Sequence, residues 1–148
     1  MTICAPSVYV KHTGTTKGRG AFAARAHTAG ELVESSPVIL LSNAYASIPQ
    51  EVRSLLFNWG VLASSTNRHC LALGYGSMYN HGNPSNMRYE ADPTARVLRF
   101  IAVRDIAADE ELTVNYNAAG GSHRSDGDTW FQGMGIDVFR VGAPEEDA

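Results

Sequence analysis

Short apolar runs, each closed by glycine or by a turn-forming residue, recur along the whole chain and constrain its fold more than any other feature. The longest run, residues 31–41, is rich in Val, Ile and Leu and lies between Gly30 and the pair Ser42-Asn43. Runs of this composition with turn residues at both ends are typical of β-strands. We therefore predict a mostly β fold with one or two short helices.

The remaining apolar runs follow the same pattern. Three of them predict strands at residues 7–12, 21–25 and 111–116. Two more, at residues 87–91 and 97–103, flank the turn sequence at 92–95, which contains Asp, Pro and Thr. Such a turn predicts an antiparallel hairpin.

One helix is predicted after the long strand. Ser47 is a suitable N-cap, and Pro49 lies in the first turn, where its missing N–H is not needed. The apolar stripe that follows has helical spacing and consists of Val52, Leu55, Leu56 and Trp59. Gly60 is expected to end the helix.

The composition is that of a folded protein of one domain. The chain has 148 residues, of which 44% are apolar and 18% charged, and a domain of this size can bury a sizeable core. The net charge of −3 gives no basic footprint, so we expect no direct binding of nucleic acid. The two cysteines, Cys4 and Cys70, lack metal-ligand spacing, and no metal site is predicted. With neither a signal peptide nor a membrane-spanning run, we expect a soluble, intracellular protein.

Three polar segments are candidates for chemistry, although each also has a structural explanation. The glycines of residues 18–20 let a backbone approach a ligand closely, but they also suit a turn between strands. Residues 80–86 place an Asn-His pair after an apolar run, yet the same residues suit a surface turn with a structural histidine. Residues 109–116 read equally well as a turn and a strand that ends in a packed tyrosine. None of the three names a function alone.

The order of these segments resembles the SET domain of protein-lysine methyltransferases. Residues 18–20, Gly-Arg-Gly, are similar to the first glycine motif of that family, and residues 30–34, GELVE, to the strand after it. Residues 80–86, NHGNPSN, are similar to the motif NHSxxPN, and residues 110–116, EELTVNY, to the motif EELTxDY. Residues 73–81 are most similar to the short single-domain SET proteins of bacteria and large viruses.

The resemblance spans about residues 7–116 and implies a fold of small curled β-sheets. In this fold a C-terminal strand is threaded beneath a loop, as a pseudoknot. The whole chain, residues 1–148, would form a single SET domain. Residues 117–141 would close the cofactor and substrate site, and the acidic tail at 142–148 would be frayed.

The activity implied by the resemblance is transfer of a methyl group from S-adenosylmethionine to a protein lysine. The residues implied to bind this cofactor are Gly18, Arg19, Gly20, Tyr79, Asn80, His81 and Trp130. Within that set, Asn80 would accept the cofactor's ammonium group, and Trp130, or else Phe131, would stack on its adenine. Tyr116 is the implied catalytic residue at the reacting methyl and amine. Tyr89 would line the lysine channel and limit the product to mono- or dimethyllysine.

The implied partner is a protein or peptide that presents a lysine, such as a histone or another basic DNA-packaging protein. No zinc is implied, because the cysteine-rich flanks of many histone methyltransferases are absent from the sequence. No membrane partner is expected, and a homodimer is left open because some short relatives pair. The expected location is the bacterial cytoplasm, or the host nucleus for a viral protein or an effector.

Three positions depart from the family motifs. Gly82 stands where Ser is usual, Ser85 where Pro is usual, and Asn115 where Asp is common. These departures keep open a non-catalytic SET fold that binds a peptide or partner, and an unrelated structural β-domain is the remaining alternative. The presence of Asn80, His81 and Tyr116 together favours the enzyme, because a pure binding module has no need of all three.

Overall fold

The computed structural model describes residues 2–42, 45–116 and 119–121. Within these ranges the chain forms nine strands and two α-helices. The elements are β1 (Val8–His12), β2 (Arg19–Ala23), β3 (Leu32–Leu41), α1 (Gln50–Arg53), β4 (Leu56–Phe57), α2 (Trp59–Ala63), β5 (His69–Ala72), β6 (Asn80–His81), β7 (Met87–Asp92), β8 (Val97–Ala102) and β9 (Thr113–Val114). The predicted mostly β fold with one or two short helices is confirmed.

The strands form three small sheets. The largest has five antiparallel strands in the order β4-β5-β3-β8-β7, and β1 pairs with β2 in a separate antiparallel sheet. The third sheet is a parallel pair of β6 and β9. The hairpin predicted from the turn at 92–95 is confirmed as β7 and β8. The strand predicted at 111–116 is limited to Thr113–Val114, and the threading of this part of the chain stays a prediction.

The single helix predicted between Ser47 and Gly60 is wrong. The segment holds α1, β4 and α2 in succession, because Leu56 and Phe57 pair with β5 instead of continuing a helix. Asn58 then starts α2, since its side-chain oxygen accepts a hydrogen bond from the N–H of Val61 at 3.2 Å. Strand pairing therefore overrides the helical spacing of the apolar residues. No helix in the described ranges is long and apolar enough to cross a membrane.

A β-bulge in β3 decides which of its residues face the interior. Leu32 pairs with Ile101 and Glu34 pairs with Phe100, so Val33 is an extra residue on β3. Val33 and Glu34 are consequently both buried, although consecutive residues of a regular strand face opposite sides. The bulge thus turns a carboxylate into the core.

The core centres on Phe100 of β8, which is fully buried. Its ring lies 4.9 Å from the ring of Tyr79, 5.9 Å from Phe57 and 6.2 Å from Tyr89, measured between centroids. Cys70 is also fully buried and free, and burial raises the pKa of its thiol to about 12. The aromatic core therefore contains two of the tyrosines singled out by the sequence.

Candidate functional site

The parallel pairing of β6 and β9 joins two of the three polar segments. Asn80 pairs with Thr113 and His81 pairs with Val114. Just beyond β9, the backbone N–H of Tyr116 donates a hydrogen bond to Nδ1 of the buried His81 at 3.0 Å. The rings of His81 and Tyr116 meet edge to face with centroids 5.3 Å apart. His81 therefore fixes the direction in which the backbone leaves β9, and with it the position of the backbone of Tyr116.

The hydrogen-bonding roles of the Tyr116 hydroxyl are fixed by its surroundings. It donates to the backbone carbonyl of Tyr79 at 2.7 Å. Burial raises the pKa of Tyr116, and the neighbouring Tyr89 and Glu111 raise it further. The hydroxyl therefore stays protonated at neutral pH, and its lone pairs, not its hydrogen, are the part that can receive an N–H from another molecule.

Asn80 connects β6 to the glycine segment and to Glu111. Its side-chain Nδ2 donates to the carbonyl of Arg19 at 3.1 Å and to Oε2 of Glu111 at 2.8 Å. Rotating the amide by half a turn would point its oxygen at both of these acceptors, so the orientation is set. Oδ1 then lies on the opposite side of the planar amide as an acceptor, which is what an ammonium group requires.

Gly20 makes room for this arrangement. A Cβ at this position would lie 2.6 Å from Oε2 of Glu111 and 3.1 Å from Nδ2 of Asn80, closer than packed atoms tolerate. Gly18 has a different role, because its φ of +76° and its hydrogen bonds with Thr13 and Thr15 form the turn before β2. The structure therefore brings Arg19 and Gly20 to Asn80, and Gly18 shapes the loop that carries them.

Asn86 ties the end of the Asn-His segment to the third motif. Its Nδ2 donates to the carbonyl of Glu111 at 2.7 Å, and its Oδ1 accepts the N–H of Thr113 at 2.8 Å. The side chain is buried and replaces strand pairing where β9 begins. The three segments that the sequence singled out thus form one hydrogen-bonded unit.

Residues 18–117 match the family model described as the SET domain. That range covers more than half of the chain. The chain belongs to the SET-domain family.

One histone methyltransferase is similar to the chain in sequence, and two solved structures share its fold. The histone-lysine N-methyltransferase of Schizosaccharomyces pombe that is specific for H3 lysine 37 is 30% identical over 131 residues, which are 88% of this chain and 82% of the relative. A proposed histone methyltransferase of Plasmodium falciparum has the same fold, with a TM-score of 0.60 and 24% identity over 76% of this chain and 95% of its own. A chain of the Chaetomium thermophilum polycomb repressive complex 2, in a humanized mutant bound to the inhibitor GSK126, also reaches 0.60, at 22% identity over 79% of this chain and 16% of its own.

The first departure from the SET motifs has a local cause. Gly82 replaces the usual Ser, and a Cβ there would lie 2.8 Å from Oγ1 and 2.9 Å from Cβ of Thr113. The N–H of Gly82 meanwhile donates to the carbonyl of Val114 at 2.9 Å. The glycine therefore lets the loop after β6 pack directly on β9.

The other two departures also make specific contacts. Ser85 donates through its N–H to the carbonyl of Gly121 at 3.0 Å, which a proline could not do. Its hydroxyl donates to the carbonyl of Met87 at 2.7 Å. Asn115 is fully buried, and its Nδ2 donates to Oδ1 of Asn83 at 3.1 Å, so a neutral amide occupies a site where an aspartate would bury a charge.

Tyr89 lies between the core and Tyr116. Its ring packs edge to face on Phe57, with centroids 5.2 Å apart, and its hydroxyl donates to the carbonyl of Asn115 at 3.1 Å. Burial raises its pKa to about 12. The hydroxyl is therefore a neutral group next to the residue that precedes Tyr116, and its predicted place on the lysine channel stays a prediction.

The remaining predicted groups lie outside the described residues. These are Trp130, its alternative Phe131, and the segment at 117–141 except residues 119–121. Glu111 and Glu34, in contrast, were given no role from the sequence. Glu111 lies in the motif at 110–116, and this position is the sequence signal that could have identified it. Its contact with Asn80 follows only from the packing of β6 against the chain before β9.

Proposed function

We propose that this SET protein transfers a methyl group from S-adenosylmethionine to the side-chain amine of a protein lysine. The observation that carries the proposal is the union of the glycine, Asn-His and Tyr motifs around β6 and β9. The Tyr116 hydroxyl bonds the carbonyl of Tyr79, the residue before Asn80, and the amide of Asn80 is oriented by Arg19 and Glu111. In this arrangement the amide oxygen of Asn80 would bind a cofactor's ammonium, and the hydroxyl of Tyr116 would bind a reacting amine.

The cradle at Gly20 and Asn80 fits the amino-acid part of such a cofactor. Asn80 Oδ1 would accept its ammonium, and the backbone of Arg19 and Gly20 would lie along it, since glycine lets a backbone approach a ligand closely. His81 would hold the adenine edge through its backbone. When bound, S-adenosylmethionine supplies a methyl group on a positively charged sulfur, whose charge also lowers the pKa of a nearby amine.

The chain needs no strong base to perform this reaction. A free lysine has a pKa of about 10.4, so about one amine in 2,500 is neutral at pH 7. Tyr116 and Tyr89 have raised pKa values and stay protonated, which excludes them as ordinary bases at that pH. Their buried surroundings instead disfavour the charged lysine, and the lone pairs of the Tyr116 hydroxyl orient the amine for attack.

We further propose that the substrate lysine belongs to a histone or another basic DNA-packaging protein. The support is the name of the Schizosaccharomyces pombe relative, which is specific for H3 lysine 37, at 30% identity. The net charge of −3 agrees with a basic partner.

The first test is an assay of methyl transfer with matched tyrosine variants. The purified protein is incubated with radiolabelled S-adenosylmethionine and histones, a basic DNA-packaging protein or cell lysate. Tyr116→Phe should lower the rate by about 10²- to 10³-fold, because it removes a preorganised polar group at the reaction centre. Tyr9→Phe, which loses only an exposed hydrogen bond to Asp109, should keep the wild-type rate.

Calorimetry with S-adenosylmethionine separates the outcomes. A labelled band that disappears in Tyr116→Phe supports the proposal, and the labelled peptide identifies the lysine. Equal rates for Tyr116→Phe and Tyr9→Phe would contradict the role of Tyr116. A protein that neither binds the cofactor nor labels any target would instead be a non-catalytic SET fold.

A further inference from the structure

Glu34 is a buried carboxylate that has no part in the function proposed above. The bulge in β3 turns it inward, and only 4% of the residue is exposed. Burial raises its pKa, whereas hydrogen bonds from Tyr79 and Tyr75 act in the opposite direction. Burying a carboxylate is unfavourable unless hydrogen bonds satisfy it, so the groups that donate to Glu34 indicate its role.

Two donors to Glu34 come from the segment that leads into the site. The hydroxyl of Tyr79 donates to Oε1 at 2.5 Å, and the N–H of Tyr75 donates to Oε2 at 3.0 Å. Gly74 has a φ of +66°, and a Cβ there would collide with Oε2 of Glu34. The loop before β6 is therefore shaped around this carboxylate.

Tyr79 is held at both of its ends. Its ring is buried against Phe100 and its hydroxyl is bound by Glu34. Its backbone carbonyl accepts the hydroxyl of Tyr116 at 2.7 Å. Two hydrogen bonds and one fixed tyrosine thus link Glu34 to the hydroxyl at the reaction centre.

We propose that Glu34 is a positioning residue for methyl transfer, which fixes Tyr79 and through its carbonyl the hydroxyl of Tyr116. The inference rests on the proposed function. Misplacing a reacting group by about 1 Å can slow a reaction by about 10²-fold. Loss of Glu34 therefore acts on the rate of the chemical step more than on cofactor binding, since Asn80 and Gly20 are held by other partners.

The test compares Glu34→Ala with Glu34→Gln. Glutamine keeps an acceptor for the N–H of Tyr75 and a group that can hydrogen-bond the rotatable hydroxyl of Tyr79, whereas alanine leaves both without a partner. We expect Glu34→Ala to lower kcat by about 10- to 100-fold, with the dissociation constant of the cofactor changed by less than about threefold. Glu34→Gln should stay within about fivefold of the wild-type kcat. Glu90→Ala, an exposed glutamate on β7, is the matched control and should leave kcat unchanged.

A double-mutant cycle with Tyr116→Phe tests whether Glu34 acts through that hydroxyl. In this background Glu34→Ala should lower kcat by no more than about twofold, since residues that act as a unit are not additive. If Glu34→Ala lowers kcat as much in the Tyr116→Phe background as in the wild type, the inference is overturned. A Glu34→Gln variant as slow as Glu34→Ala, or a Glu34→Ala variant with normal kcat, would also overturn it.

Tyrosine NMR of the ligand-free protein gives a readout that does not need activity. The ring resonances of Tyr116 in ¹³C-labelled protein should shift in Glu34→Ala and stay unchanged in Glu34→Gln and Glu90→Ala. If Glu34→Ala does not fold, Tyr79→Phe decides: kcat lowered about fivefold or more supports the inference, and an unchanged kcat overturns it. An inactive wild-type protein would remove both the proposed function and this inference, whereas an active wild type with an active Glu34→Ala removes the inference alone.

Discussion

A carboxylate and a backbone carbonyl decide how the amide of Asn80 is turned. Nδ2 has two acceptors, Glu111 Oε2 and the carbonyl of Arg19, and their positions make Oδ1 the group that an ammonium meets. This control is electrostatic, because either acceptor would repel the amide oxygen. At the scale of the residue, the proposed recognition of the cofactor therefore depends on a side chain that need not touch it.

Glu111→Gln tests this control. A glutamine amide can turn its oxygen or its nitrogen to Asn80, so only the carbonyl of Arg19 still favours one orientation of the Asn80 amide. We expect cofactor binding to weaken by about three- to tenfold, the equivalent of one net hydrogen bond of about 1 kcal/mol. Calorimetry measures it. Glu90→Gln is the matched control, since that exposed side chain pairs with Arg88 at 3.2 Å, and a similar weakening in both variants would contradict the assignment.

Tyr89→Phe tests the predicted limit on product. Its hydroxyl donates to the carbonyl of Asn115, next to Tyr116, so its removal enlarges the space there by one oxygen. We expect the wild-type protein to make mainly mono- and dimethyllysine and the variant to shift toward trimethyllysine. Mass spectrometry of the substrate peptide measures the product states. Rapid trimethylation by the wild type, or identical products from the two proteins, would contradict the prediction.

At the scale of the element, the site depends on two strands of two residues each. The pair of β6 and β9 is too short to be stable alone, and side chains complete it: Asn86 binds the backbone of Glu111 and Thr113. Gly82 allows the loop after β6 to lie on Thr113. The geometry of the site is therefore as sensitive to loop packing as to the strands.

Gly82→Ala should show this sensitivity. The added Cβ lies within 2.9 Å of two atoms of Thr113, so the loop or the strand must shift. We expect a loss of about 1–3 kcal/mol in the free energy of unfolding, the usual effect of overpacking, together with loss of methyl transfer. Urea unfolding measures it. Gly120→Ala, where a Cβ would have nothing within 4 Å, should change the free energy of unfolding little, and equal effects of the two substitutions would refute the steric explanation.

At the scale of the whole molecule, three small sheets share one hydrophobic core, and the site lies where they meet. Phe100 from the five-stranded sheet packs on Tyr79, which precedes β6, while Phe22 of β2 bridges to Glu111. A cofactor bound at Gly20 and Asn80 would contact parts of two sheets. Binding should therefore stabilise the entire domain, not one loop.

Thermal unfolding with S-adenosylmethionine tests this expectation. At a ligand concentration of about 100 times Kd, binding to the folded state alone adds about 2.7 kcal/mol to the free energy of unfolding. For a domain of this size we expect Tm to rise by about 5–10 °C. The Tm of the Glu111→Gln variant should rise less at the same ligand concentration. Absence of any shift in the wild type would contradict cofactor binding.

Much of the fold and of the candidate site was predictable because the signals are local. The apolar runs on either side of the turn at 92–95 indicate the hairpin of β7 and β8, and the three motifs name the segments that meet around Asn80. The helix at 47–60 was mispredicted. Its apolar residues have helical spacing, but Leu56 and Phe57 pair with β5. Local periodicity could not distinguish the two outcomes.

The sequence by itself therefore determined the mostly β class, the family and the three segments that meet around Asn80. Only the tertiary structure decided which distant groups hold them: Glu34 to Tyr79, 45 residues apart, and Asn80 to Arg19, 61 apart. The physical reason is that strand and turn preferences act between neighbours in the chain. Hydrogen bonds across such separations depend on the register of the sheets and on a single bulge in β3, and no local pattern encodes these.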